Sequence, residues 1–384
     1  MAKKILRILS YIVVALAASA LTLFFVLASM QKGQSKLIEL ENLIMDKFIG
    51  EADQTAMEDA AADAMVNALQ DRWSYYIPAD EFAAYMEQMN NAYVGVGITI
   101  QQRQDGKGLD IMEVTKGGPA QEAGLLANDV VIAVDGQSIE GMALDAIRAK
   151  IQGKEGTTVR ITVLRGAQEQ TFTVTRRTIQ TVVASGQMLD DAIGLVTIEN
   201  FDARCANETI KEIETLLKQG AKKLIFDVRN NPGGYKDELV KVLNYLLPEG
   251  VLFRSELYNG KTEQDMSDAN CLDIPMVVLV NGNSYSAAEF FAAALRDYDA
   301  GIIIGEQTVG KGYFQSTFRL SDGSAVGLSI GKYYTPKGVS LAGVGITPDV
   351  QIVLDDETAA KVYYGQLPPM EDPHILAAIN ALQE

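Results

Sequence analysis

The sequence is poor in the side chains from which metal sites and disulfide frameworks are built, with one histidine and two cysteines among 384 residues. A lone His374 excludes a histidine cluster, and Cys205 and Cys271 are too few for a Cys-rich zinc site or a disulfide scaffold. No metal or other cofactor is expected, and any catalysis must run without a His pair. The bland reading of the two cysteines is a pair of buried thiols, with pairing left open. Basic residues are also scarce. Lys and Arg number 33 against 50 Asp and Glu, a net charge of -17, which excludes nucleic acid as a partner because phosphate binding needs a basic face. What remains is ordinary globular material, 48% hydrophobic and 22% charged, enough for two or three cores.

From Ile8 to Met30 the chain is apolar and uncharged, directly after Lys3, Lys4 and Arg7. That run matches a bilayer crossing and predicts an N-terminal transmembrane helix within residues 1–30. The basic tip stays cytoplasmic, which makes this a single-pass protein of the cell membrane with its outer part on the extracytoplasmic side. Ala18-Ser19-Ala20 resembles a signal-peptide cleavage site, but Leu21 to Leu27 continues the apolar run beyond it, which favours a retained anchor.

Residues 31–90 show helical periodicity in Leu37, Leu40, Leu43, Ile44 and Phe48, and again in Ala61, Met65, Ala68 and Leu69. Two readings stand side by side, a spacer packed on the next domain and a dimerisation arm that makes a homo-oligomer. Residues 91–178 change to short strands, the first expected over Tyr93 to Ile100, and Gly-rich turns. Val94-Gly95-Val96-Gly97-Ile98, Gly118-Pro119-Ala120-Gln121-Glu122-Ala123-Gly124-Leu125 and Gly136 make this unit resemble a PDZ domain. Glycines there let consecutive N–H groups point at a carboxylate while a peptide adds as a strand beside Ile98 and Ile100.

In residues 179–384 strands and helices alternate, which predicts an α/β core with parallel pairing. A helix is expected over Asn207 to Gln219, ended by Gly220. Polar or Gly-rich turns fall at the C-terminal ends of three strands, at Asn230 to Gly234, Asn281 to Glu289 and Gly305 to Gln315, where open α/β sheets gather reactive groups. Ser284 and Ser286 stand where strand turns into helix, so either hydroxyl can lie beside the N–H groups of a helix start. Lys311 lies between Gly310 and Gly312, where desolvation favours the neutral amine of a general base.

Two other motifs fail. Gly305 to Lys311 matches the front of a Walker A loop, but Gly312 stands where Ser or Thr must hold magnesium. Ser, Asp349 and His374 come in the order of an α/β-hydrolase triad. However, His374 opens a terminal helix after a Pro-rich loop and reads as a surface residue.

Five motifs, in order, resemble the carboxyl-terminal processing peptidases, or tail-specific proteases. They are Asp227-Val228-Arg229-Asn230-Asn231-Pro232-Gly233-Gly234, Ser284-Tyr285-Ser286-Ala287-Ala288-Glu289, Thr308-Val309-Gly310-Lys311-Gly312-Tyr313-Phe314-Gln315, Tyr334-Thr335-Pro336-Lys337-Gly338 and Gly345-Ile346-Thr347-Pro348-Asp349. The resemblance implies an α/β protease core with a crotonase-like mixed sheet and an inserted PDZ-like domain. It also implies a serine endopeptidase with Ser286 as nucleophile, Lys311 as base 25 residues later and Gln315 orienting the lysine. Oxyanion donors would be the N–H of Ala287 and of Gly233 or Gly234. Its partners would be protein substrates with free apolar C-termini, bound at Val94, Gly95, Val96, Gly97 and Ile98. Whether a separate protein activates the enzyme is left open, and a catalytically inactive membrane-tethered PDZ scaffold is the alternative. Tyr285 and Ala288 depart from the small residue and serine common in that family, which bears on substrate preference.

Overall fold

The computed structural model of the chain describes residues 18–19, 21–22, 36–103 and 105–383. The expected membrane segment, Ile8 to Met30, lies outside the described residues except for Ala18, Ser19, Leu21 and Thr22, which are helical. Among the described residues no helix is long and apolar enough to cross a membrane. The chain forms two compact units, Met1–Pro78 and Ala79–Glu384.

The first unit contains helices α1 (Lys36–Lys47) and α2 (Gln54–Asn67) and the short strand β1 (Tyr75–Ile77). Asp53 starts α2 by accepting the Ala56 N–H at 3.1 Å, which satisfies one of the orphan donors of a helix start. The Tyr76 hydroxyl ties the strand back to α2 through Asp59 at 2.7 Å.

The second unit opens with α3 (Phe82–Met89) and then builds the Gly-rich module. Its strands are β2 (Ala92–Gly95), β3 (Ile98–Gln102), β4 (Leu109–Val114), β5 (Val130–Val134), β6 (Gln137–Ser138), β7 (Thr158–Arg165) and β8 (Gln168–Thr175). Helices α4 (Pro119–Ala123) and α5 (Leu144–Ile151) fall between them. The antiparallel order β3-β4-β5-β7-β8 leaves β3 at an edge, and Leu109, Ile111, Val131, Ile147, Ile161 and Val174 form a closed core. The run Tyr93–Ile100, read from sequence as one strand, breaks in two at Gly97, whose φ of 78° favours glycine. β2 leaves the module's sheet and pairs with β9 (Arg177–Gln180), so the entering and leaving chains run side by side.

The rest is a layered α/β core. Strands β10 (Ala184–Met188), β11 (Ile193–Ile198), β12 (Lys223–Asp227), β15 (Met276–Val280), β16 (Gly301–Gly305) and β19 (Val350–Gln351) lie in that spatial order. β10 is antiparallel and the others parallel, the mixed sheet that the sequence led us to expect. Parallel strands covered on both faces need nearly continuous apolar sequence, and every residue of β15 is buried. One face meets helices α6 (Cys205–Gln219), α7 (Lys236–Leu246) and α8 (Ala287–Asp297) through Phe226, Val278 and Val280. The other meets α10 (Pro373–Gln383) through Ile225, Val277 and Leu279. A second, antiparallel sheet holds β13 (Gly250–Leu257), β14 (Thr262–Ser267), β17 (Tyr313–Arg319) and β18 (Ala325–Tyr334). Helix α9 (Asp356–Tyr363) precedes α10.

Three readings are corrected here. Helix α6 begins at Cys205, two residues before the expected Asn207, because Arg204 takes a left-handed φ of 76° and turns the chain into the helix. Only Cys205 is a buried thiol, pushed up to about 12 by that burial, whereas Cys271 is exposed, and both are free. His374 is fully buried and not a surface residue. It does sit in the first turn of α10, but the Arg229 side chain reaches it from the turn after β12, with Nη1 3.3 Å from His374 Nδ1.

Candidate active site

The turns after β12, β15 and β16 meet at the start of α8. After β12 the chain reverses through Asn230, Gly233 and Gly234, all at positive φ. Asn231 is fully buried and organises the reversal. Its Nδ2 donates to the Ile198 carbonyl at 2.7 Å, its Oδ1 accepts the Gly233 N–H at 2.8 Å, and its carbonyl accepts the Tyr285 N–H at 3.1 Å. Gly233 therefore lies against the start of α8. A Cβ there would sit 2.7 Å from Ser286 Cβ and 2.9 Å from Ala287 N, closer than real atoms approach.

The two serines, equivalent in sequence, separate in the structure. Ser284 is fully buried; its hydroxyl donates to the Val228 carbonyl at 2.7 Å and accepts the Asn281 N–H at 3.0 Å. It fastens two turns together. Ser286 stands immediately before α8 with φ 59° and ψ -123°, a strained conformation for a side-chain-bearing residue. A sharp strand-to-helix turn of this kind can present a nucleophile. Ala287 follows as the first residue of α8, where N–H groups have no intrahelical partner and the helix dipole is positive.

The turn after β16 is bound to the same place through Glu289, one turn into α8 and fully buried. Its Oε2 accepts the N–H groups of Ser286 and Lys311, each at 2.9 Å. Its Oε1 accepts the Gly310 N–H at 2.7 Å and the Thr308 hydroxyl at 2.5 Å. Burial raises the Glu289 carboxyl above its ordinary range, and these four donors work against that rise by favouring the ionised form. Lys311 Nζ lies 5.9 Å from the centre of the Tyr285 ring, so the two side chains share one side of the site. Burial, foremost, and the Asp202 charge raise the Tyr285 phenol.

Gln315 lies on β17 at a bulge between Phe314 and Gln315, a feature that re-aims side chains next to active sites. Its Nε2 donates to Ser329 Oγ at 2.9 Å and to the Tyr313 carbonyl at 3.3 Å. Of the two glycines named as oxyanion donors, Gly233 gives its N–H to Asn231. Gly234 packs on Phe201 and Asp202, where a Cβ would lie 2.3 Å from the Phe201 carbonyl carbon. Val94 and Gly95 end β2, Ile98 opens β3, and Val96 and Gly97 join the two strands. Asp349 accepts the Ile303 N–H at 2.8 Å, a role in the sheet.

Sequence reasoning missed Tyr333. Its hydroxyl lies 3.4 Å from Ser286 Oγ, held by an aromatic cluster of Phe253, Phe290 and Phe314. Burial pushes the phenol up to about 12. No local motif marks it, because β18 is brought to the site by pairing with β13 and β17. Asp202 was also missed. It is buried just after β11, among the described residues its Oδ1 has no hydrogen-bond partner, and burial raises it to about 7. Among the described residues no group of His, Cys, Asp and Glu could hold a metal ion.

The chain is similar to known proteins. The model of Peptidase family S41 matches residues 192–352 and that of a PDZ domain residues 111–165. A Staphylococcus saprophyticus protein named "Probable CtpA-like serine protease" is 34% identical over 332 residues, 85% of this chain and 67% of that protein. Its counterpart from Staphylococcus aureus (strain COL) is 34% identical over 327 residues, 83% of this chain and 65% of that protein. The chain thus spans just under two thirds of the latter's length. Among solved structures, the photosystem II D1 C-terminal processing protease is 30% identical, with 84% of this chain and 87% of that one covered and a TM-score of 0.49. A candidate S41 protease of Bacteroides fragilis NCTC 9343, 16% identical, shares the fold over 88% of this chain and 92% of that one, with a TM-score of 0.55.

Proposed function

The chain belongs to peptidase family S41, and from that premise we propose that it is a serine endopeptidase that captures protein C-termini in its PDZ domain and cuts with Ser286 and Lys311. The observation that carries this reading is the shared carboxylate. Glu289 Oε2 accepts both the Ser286 and the Lys311 N–H, so one rigid group holds the two turns together. The uncharged run Ile8 to Met30 supports anchoring to the cell membrane, with the peptidase on the extracytoplasmic side.

In this mechanism unprotonated Lys311 takes the proton of Ser286 Oγ as that oxygen bonds to the scissile carbonyl carbon. The negative oxygen faces the Ala287 N–H at the start of α8, joined by the Gly234 N–H, since the Gly233 N–H is already given to Asn231. The C–N bond then breaks and Lys311 returns its proton to the leaving amine. Water, deprotonated by Lys311, bonds to the acyl carbonyl carbon, and as the ester C–O bond breaks Lys311 returns that proton to Ser286 Oγ, freeing the acid and restoring both groups. Gln315 orients the lysine amine once it turns from Ser329.

The test incubates the full chain, solubilised in detergent, with a loosely folded protein ending in an apolar tail, beside Ser286→Ala and Ser284→Ala variants. Cleavage by the unaltered chain and by Ser284→Ala, with none by Ser286→Ala, is expected. Cleavage by Ser286→Ala overturns the assignment of the nucleophile, and cleavage by none of the three favours a binding scaffold.

A further inference from the structure

The groove that would hold the tail lies between β3 and α5, lined by Gly95, Gly97, Ile98, Ile100, Arg148 and Ile151 among others. β3 is an edge strand, so an extended chain can add beside it. The helix runs against the strand. Gln102 at the end of β3 donates to the Met142 carbonyl just before α5 at 3.3 Å, while Ile151 at the end of α5 and the glycines that precede β3 line the same groove. A peptide antiparallel to β3, its carboxylate at those glycines, therefore passes Ile151 first and Arg148 next.

Spacing fixes which peptide residue meets which side chain. Successive strand side chains alternate faces at roughly 3.3 Å per residue, so the last and third-from-last residues point the same way about 7 Å apart. Arg148 precedes Ile151 by three residues, about 4.5 Å along the helix, and its long side chain covers the difference. Ile151 is thus set against the terminal side chain and Arg148 against the third from the end. In a chain of net charge -17, Arg148 is, among the described residues, the one charged residue lining this groove. Its ion pair with Asp145 is 3.5 Å long with both side chains well exposed, a contact of little energetic weight.

We propose that Arg148 is a specificity residue that selects tails ending in an apolar residue with Asp or Glu third from the C-terminus. The inference rests on the PDZ capture reading given above and adds the chemical class of tail.

The experiment measures binding by fluorescence anisotropy, using the solubilised full chain carrying Ser286→Ala so that peptides survive. Labelled ten-residue peptides ending in an apolar residue carry Asp, Ala or Lys at the third position from the end, each with a free or an amidated C-terminus. Among free-carboxylate peptides, Asp is expected to bind roughly five- to tenfold more tightly than Ala, the range of a charge-assisted contact, and Lys more weakly than Ala. Arg148→Ala should level the three, and Arg148→Glu should reverse their order. Tight binding of free-carboxylate peptides with no preference at that position, or the Asp preference surviving in Arg148→Glu, overturns the proposal while leaving capture intact. Equal binding of free and amidated peptides overturns the capture reading and the role of Arg148 with it.

Discussion

The backbone N–H groups of Ser286 and Lys311 donate to a single oxygen atom, Glu289 Oε2, each across 2.9 Å. Two residues that sequence separates by a helix and a strand are held there by a third that makes no chemistry of its own in the proposed reaction. Glu289→Gln is the sharpest probe of that arrangement. The amide keeps one acceptor oxygen and turns an NH2 group toward donors that had an acceptor before, and an unsatisfied buried donor costs about 1–3 kcal/mol. The variant is expected to lose roughly 2–5 kcal/mol in urea unfolding and at least a hundredfold in kcat. Full activity in a folded Glu289→Gln would show that the two turns keep their places without the carboxylate.

Tyr333 offers a gentler perturbation. With its phenol pushed up to about 12 by burial, it is protonated near neutral pH and makes a poor base. Its hydroxyl, 3.4 Å from Ser286 Oγ, is placed to orient the serine. Tyr333→Phe keeps the ring contacts with Phe253, Phe290 and Phe314. Stability should change by less than about 1 kcal/mol, while kcat falls several-fold at unchanged KM and with an unchanged pH profile. A kcat equal to that of the unaltered chain would remove the orienting role.

The Gly233 turn tests close approach. Gly233→Ala places a Cβ 2.7 Å from Ser286 Cβ at a φ of 93° that a side chain resists. One turn or the other must retreat. A melting temperature lowered by several degrees, corresponding to about 1–3 kcal/mol, and a kcat down at least a hundredfold are expected. A variant that melts earlier but cuts normally would place Gly233 in folding alone.

How much of this was legible in the sequence depended on how local each relationship is. Ser286, Glu289 and Lys311 lie in short turns between strongly patterned strands and helices, and their surroundings could be read from neighbours in the chain. What separates Ser284 from Ser286 could not be read from the residues alone and came only with the family resemblance, because the carbonyl that holds the Ser284 hydroxyl belongs to Val228, 56 residues away. Tyr333 comes to Ser286 through antiparallel pairing of strands that alternate weakly. His374 looked like a surface histidine beside Asp372 and Pro373, yet Arg229, reaching from 145 residues away, buries it. The break at Gly97 was hidden because a run of Val, Gly and Ile is equally compatible with one strand or two.

Asp202 turns an isolated buried carboxylate into a pH experiment. Its side chain is 8% exposed, among the described residues its Oδ1 has no hydrogen-bond partner, and burial raises it from 3.8 to about 7. An acid with a raised folded pKa binds more protons folded than unfolded between those two values, so its contribution to stability falls as pH rises from about 4 to about 7. Each unit of that shift corresponds to about 1.4 kcal/mol. His374 acts with the opposite sign. Burial, foremost, and Arg229 lower its pKa from 6.5, so its contribution is present above that value and is lost as the solution is acidified through the lowered one. Asp202 should therefore lower the urea midpoint as pH rises from about 4 to about 7, and His374 should lower it as pH falls from 6.5 through its lowered value. Asp202→Asn removes the titrating carboxyl while keeping shape, so its midpoint should gain on that of the unaltered chain as pH rises through that window, with the His374 limb left in place. A midpoint difference between the two that stays constant from about pH 4 to about pH 7 would return Asp202 to an ordinary, solvated carboxylate.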